Sequence, residues 1–160
     1  MQNPSFELSN ITHAQLDTIF YESVLGYENI INTSNPDLTD FKQAGGKLIH
    51  YHGLADPSIY PSGSLDYYKK VEARDPDLRS FYRYFEAPGV YHCSGGNGPD
   101  PEDPVAVVVA WVENGLAPDL LPAVSADGTL ERNLCPYPLV PAFKGGNISS
   151  ALSYVCRDRF

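Results

Sequence analysis

Long apolar runs are absent from this 160-residue chain. The longest, Val105–Val112, spans eight residues, whereas a helix that crosses a membrane needs about 20, so no membrane partner is expected. Positive charge is scarce as well: 11 Lys and Arg stand against 20 Asp and Glu, giving a formal net charge of -9 and a pI near 4.7. The basic residues do not cluster, and without concentrated Lys and Arg there is no footprint for nucleic acid. The opening residues Met1-Gln2-Asn3-Pro4-Ser5 lack the basic and apolar regions of a secretory leader. No glycine-rich segment leads into a helix N-terminus as phosphate binding requires, because Gly95-Gly96-Asn97-Gly98 runs into Pro99. No serine sits in a Gly-x-Ser-x-Gly frame. Internal repeats and linker-like composition are missing too.

What is present describes a globular chain of about one domain's length. Hydrophobic residues make up 42%, aromatics 12% and charged residues only 19%, enough side chain for a core. The 13 glycines and 14 prolines require many turns. Cysteines number three, at Cys93, Cys135 and Cys156, and three glycosylation triplets begin at Asn10, Asn32 and Asn147. An odd cysteine count with such triplets suits a secreted, extracellular glycoprotein holding one internal bridge and one half-bridge. Three buried thiols in a cytosolic protein fit the same composition.

Along the chain, Thr12 as N-cap and apolar Leu16, Ile19 and Phe20 predict a helix from 12 to about 25, ended by Gly26. A polar loop from Asn32 to Asp40 precedes a short helical piece closed by Gly45-Gly46. Lys47–Tyr51 reads as a buried strand and Pro61 to about Ala73 as a helix. Phe81–Phe85 reads as a second strand, stopped by Pro88-Gly89. Strand, helix and strand form one crossover unit, which implies parallel strands and a site beyond their carboxyl ends. Asp103-Pro104 and the stripe Val105, Val108, Val109, Val112 predict a helix ending at Asn114-Gly115. From Leu116 onward the chain reads as proline-rich and irregular.

Two residues follow those strands in the positions that α/β-hydrolases use for the acid and the base of a triad: Asp56 in His52-Gly53-Leu54-Ala55-Asp56, and His92 in Ala87-Pro88-Gly89-Val90-Tyr91-His92-Cys93. A carboxylate that accepts from histidine Nδ1–H fixes the ring's tautomer and stabilises the cation formed when Nε2 takes a proton. A turn-forming Asp and a solvated His would look the same on spacing alone. Ser94 lacks the required glycine frame, and Ser62 and Ser64 belong to a helix start, so none is taken as nucleophile. Cys93 beside His92 fits a disulfide partner better than a nucleophile. His50 and His52, with Asp56 nearby, could suggest zinc, but no further histidine has the spacing to complete a site, and packing and hydrogen bonding around the acid loop is the simpler reading. Tyr60, Tyr67 and Tyr91 are candidate pocket-lining aromatics, with packing as the simpler reading.

These segments, together with Asn35-Pro36-Asp37-Leu38, Gly45-Gly46-Lys47-Leu48, Trp111-Val112-Glu113-Asn114-Gly115, Ala117-Pro118-Asp119 and Cys135-Pro136-Tyr137-Pro138, occur in the order found in the C-terminal portion of the tannase/feruloyl esterase family. Over roughly residues 30 to 156 the chain resembles that family. The resemblance implies an α/β fold with a mostly parallel sheet and flanking helices. It implies that residues 1–160 are the C-terminal part of one α/β-hydrolase catalytic domain, incomplete without upstream strands. The nucleophile elbow, the oxyanion donors and the lid with its structural calcium are then expected upstream of Met1, with no cofactor in the chain itself.

The implied chemistry is serine carboxylic ester hydrolysis of phenolic acid esters, gallate or ferulate, with Asp56 as acid and His92 as base. The serine, and a cysteine bridged to Cys93, would belong to the missing N-terminal part of the same enzyme. The resemblance also pairs Cys135 with Cys156, a loop closure that typically stabilises by about 3 kcal/mol. The isolated chain is expected to be inactive. An inactive fragment or subunit is the alternative, and a stand-alone phenol- or sugar-binding module a third.

Overall fold

The computed structural model of the chain describes residues 7–159, and the opening residues read for a leader lie outside them. Two compact units are present, Met1–Asn35 and Pro36–Phe160, each considered by itself.

The first unit is built on α1 (His13–Ile31). Thr12 caps it with a reciprocal pair: the Thr12 hydroxyl accepts from the Gln15 amide at 3.3 Å, and Gln15 Oε1 accepts from the Thr12 amide at 2.9 Å. The helix does not stop at Gly26 as the sequence predicted. An internal glycine costs only about 1 kcal/mol relative to alanine, and the flanking residues keep the hydrogen-bond ladder. The end comes at Asn32, whose backbone is extended and whose N–H donates to the Glu28 carbonyl.

In the second unit, α2 (Thr39–Gln43) leads through Gly45, held at φ +80°, to β1 (Leu48–Gly53). Helix α3 (Pro61–Arg74) crosses over to β2 (Tyr82–Ala87), which pairs with β1 in parallel, in a register from Leu48↔Tyr82 to Gly53↔Ala87. Matched ends release both following loops at the same rim. β2 is covered on both faces: Tyr82 and Tyr84 pack with Tyr68, Val71, Leu78 and Phe81 on the α3 side, while Phe85 and Ala87 pack with Val90, Leu121, Ala123 and Leu134 on the other. Alternation along the strand sends successive side chains into these two clusters.

Helix α4 (Pro104–Asn114) forms as its caps predict. The Asp103 carboxylate accepts from the Ala106 amide at 2.8 Å, Pro104 occupies the first turn, and Gly115 ends the helix at φ +71°.

Beyond it the structure corrects the irregular reading. β4 (Leu121–Val124) and β5 (Glu131–Leu134) form an antiparallel sheet with β3 (Asp100–Pro101), a strand that comes before α4, and β6 (Val140–Phe143) pairs antiparallel with β7 (Tyr154–Arg157). Strands of four residues place only two side chains on each face, too few to declare a period. Pro122 and Pro141 within them also mask strand character. The strands among the described residues therefore form three small sheets, one a parallel pair and two antiparallel, where a mostly parallel sheet was expected. Among the described residues no helix is long and apolar enough to cross a membrane.

Candidate active site

The two loops leaving the carboxyl ends of β1 and β2 are laced together. The Leu54 amide donates to the Ala87 carbonyl and the Ala55 amide to the Val90 carbonyl, each at 3.0 Å. Their approach is so close that a Cβ on Gly53 would collide with the carbonyl oxygens of Val90 and Tyr91. Glycine is required there for space, not for an unusual backbone angle. In the second loop the Gly89 carbonyl accepts from the Asn97 and Gly98 amides at 3.0 Å, and the Tyr91 amide donates to the Gly95 carbonyl at 2.9 Å. The Asp100 carboxylate accepts from the Gly95 amide at 2.9 Å, and Tyr51 Oη donates to the Cys93 carbonyl at 3.2 Å. The loop's crowded middle puts Cys93 at φ +67°, a left-handed angle that costs a non-glycine residue roughly 1–2 kcal/mol.

These contacts bring Asp56 and His92 together, 36 residues apart in sequence. Asp56 Oδ2 accepts from His92 Nδ1 at 2.9 Å, while Oδ1 accepts from the Ser58 and Ile59 amides at 2.8 and 2.9 Å. The carboxylate can only accept, so the ring proton belongs on Nδ1 and Nε2 carries the free lone pair. Exposure separates the partners: the Asp56 side chain is 3% exposed and that of His92 53%. Burial opposes ionisation of Asp56, but the Ile59 amide, the His92 ring and the Ser58 amide together outweigh it and hold the carboxyl well below the usual carboxylate range. Asp56 is thus a fixed anion beneath a histidine that solvent can reach.

The other sequence candidates fall elsewhere. His50 Nδ1 is bonded to Tyr82 Oη at 2.8 Å, and burial, with His52 nearby, lowers its pKa to about 4. His52 is engaged with Ser64 Oγ at 2.7 Å and the Ile59 carbonyl at 3.1 Å, which accounts for the His-x-His pair without a metal. Among the described residues no three His, Cys, Asp or Glu side chains gather as a metal site would require. Cys93 is exposed and unpaired, while Cys135 and Cys156 are bridged across a Cα–Cα distance of 5.7 Å. Tyr67 packs against the α3-side core, whereas Tyr60 and Tyr91 are exposed. His52, which the sequence set near Asp56, takes the packing and hydrogen-bonding role around the acid loop, with Nε2 3.2 Å from Asp56 Oδ2. Its spacing of four residues before the acid was the available signal.

A profile for tannase and feruloyl esterase matches residues 1–157. The chain belongs to the tannase and feruloyl esterase family. It is 43% identical to a probable feruloyl esterase of Arthroderma benhamiae over 98% of its own length and 31% of that protein's. It is 38% identical to a mono(2-hydroxyethyl) terephthalate hydrolase of Piscinibacter sakaiensis, covering 86% of this chain and 23% of that one. Among solved structures, a tannin acyl hydrolase from Aspergillus niger superposes with a TM-score of 0.80 at 31% identity, over 96% of this chain and 30% of that one. The α/β character of the fold agrees with these family members, and the chain spans about a quarter to a third of the length of the relatives it matches.

Proposed function

We propose that this chain supplies the acid and the base of a carboxylic ester hydrolase that cleaves phenolic acid esters, gallates or ferulates, through a Ser-Asp-His triad whose serine lies outside these 160 residues. The observation that carries this reading is the 2.9 Å bond from the half-exposed His92 ring to the buried Asp56 carboxylate. His92 Nε2 has no hydrogen-bond partner among the described residues, leaving its lone pair for an incoming hydroxyl.

In this mechanism His92 Nε2 removes the serine proton as the serine oxygen attacks the ester carbonyl, and the Asp56 carboxylate stabilises the resulting imidazolium. The same proton then passes to the departing alcohol oxygen, leaving an acyl-enzyme. Water, deprotonated by His92, releases the aromatic acid and restores the serine. Exposed Cys93, next to His92, is proposed to bridge to a cysteine beside the serine, tying the base loop to the nucleophile. The Cys135–Cys156 bridge supports an extracellular site of action, where disulfides persist.

The test is turnover of ferulate and gallate esters by the enzyme that contains this chain together with its serine. Asp56→Asn and His92→Ala should each lower kcat by roughly three to four orders of magnitude with the thermal transition retained. Unchanged turnover in either variant refutes the assignment. The isolated chain should hydrolyse neither ester, and coding sequence upstream of Met1 should contain Gly-Cys-Ser-x-Gly-Gly in frame.

A further inference from the structure

The acid loop is closed at its base by a single ring. His52 comes from the end of β1, Ser64 from the first turns of α3, and Ile59 and Asp56 from the loop between them. His52 Nε2 lies 3.1 Å from the Ile59 carbonyl oxygen and 3.2 Å from Asp56 Oδ2. Both oxygens only accept, so Nε2 carries the proton and Nδ1 is bare. The Ser64 hydroxyl accordingly donates to Nδ1 at 2.7 Å. The ring's tautomer is thereby set from both sides, and its side chain is only 10% exposed.

We infer that His52 is a positioning residue for Asp56: its Nε2–H, donated to the Ile59 carbonyl, holds the acid loop and sets an N–H dipole 3.2 Å from the oxygen that His92 uses. The inference rests on the acid–base reading above. Ile59 is bound twice, its amide to Asp56 Oδ1 and its carbonyl to His52. Loss of the His52 donor therefore loosens the turn that feeds amides to the carboxylate. It also removes an N–H dipole beside Oδ2, leaving that oxygen more negative and the His92 cation better stabilised. Other titratable groups nearby include His50, two residues earlier on β1, Glu86, which lies opposite His52 in the β1–β2 register and is paired with Arg159, and, beside His92, Tyr91, Cys93 and Tyr51.

Nuclear magnetic resonance titration of the His92 ring in the full 160-residue chain tests this without any ester. His52→Phe keeps a ring of similar size and loses the donor, whereas His52→Gln loses the ring and keeps an N–H near the Nε2 position. The His92 midpoint should rise by roughly half a pH unit in the Phe variant and return to its original value in the Gln variant. Ser64→Ala, a change mild enough to preserve the fold, should move it the same way by less. No movement with Phe, or equal movement with Phe and Gln, overturns the inference, since packing alone would then account for His52. Asp56→Asn separates the two levels. If it leaves the His92 titration untouched, the acid–base pairing itself fails. If it shifts the titration while His52→Phe does not, only the role of His52 is lost.

Discussion

The crossover unit from β1 to β2 and the short-stranded region from β4 to β7 solve the same problem differently. In the first, six-residue strands are matched end to end, and β2 is buried on both faces. The loops at its rim are bonded to each other through backbone amides. In the second, strands of four residues pair antiparallel and the last hairpin is bridged to the chain before it by Cys135–Cys156. A cavity of about 400 Å³ lies beside that bridge, walled by Leu120, Pro136, Pro141 and Tyr154 among others, and none of its walls comes from the two site loops. The contrast shows that this hollow is not where the acid–base pair sits. The pair sits where two loops are bonded to each other through their backbones, and the second region contributes Leu121, Ala123 and Leu134 to the rear of β2.

Phe85 belongs to both regions and offers the largest test. It is fully buried between them, and Phe85→Ala should cost about 3–5 kcal/mol in urea unfolding; a loss below about 1 kcal/mol would show that the regions do not share a core. Cys135→Ser, which removes the bridge, should cost about 3 kcal/mol while the His92 to Asp56 hydrogen bond survives in the proton spectrum. Disappearance of that signal would tie the two regions more closely than the structure indicates. Gly53→Ala should do the reverse, costing about 2 kcal/mol and disturbing the His92 resonance, because the new methyl group meets the Val90 and Tyr91 carbonyls.

The smallest expected effect is on pH dependence. His50 is held neutral, its pKa lowered from 6.5 to about 4 by burial and then by His52. Between those values the unfolded chain takes up a proton that the folded one refuses, so stability falls as pH drops from about 6.5 to about 4. A His50→Gln variant should show a flatter melting profile over that window, and an equally steep one would exclude His50 as the cause.

Legibility followed the strength of local signals. α4 was readable because three devices agree: the Asp103 cap, Pro104 in the first turn and Gly115 at the end. β1 and β2 were readable as compact apolar runs bounded by glycine and proline. α1 was read too short because Gly26 resembled a terminator, while the continuing ladder and the extended backbone of Asn32 set the true end. β4 to β7 were missed because two inward residues per strand make no pattern and partner strands supply most of the reason for them to form. His50 and His52 were visible as a pair, but their actual partners, Tyr82, Ser64 and Ile59, come from other segments.

The order of residues alone was enough to specify helix caps, glycine-dependent turns, the parallel crossover and the family, because each depends on neighbours within a few positions or on segments kept in series. The 2.9 Å contact between Asp56 and His92, the clash that reserves position 53 for glycine and the placing of His52 against the acid arose only on folding. They depend on distances across two loops joined by long-range hydrogen bonds, and such distances have no counterpart in local propensity.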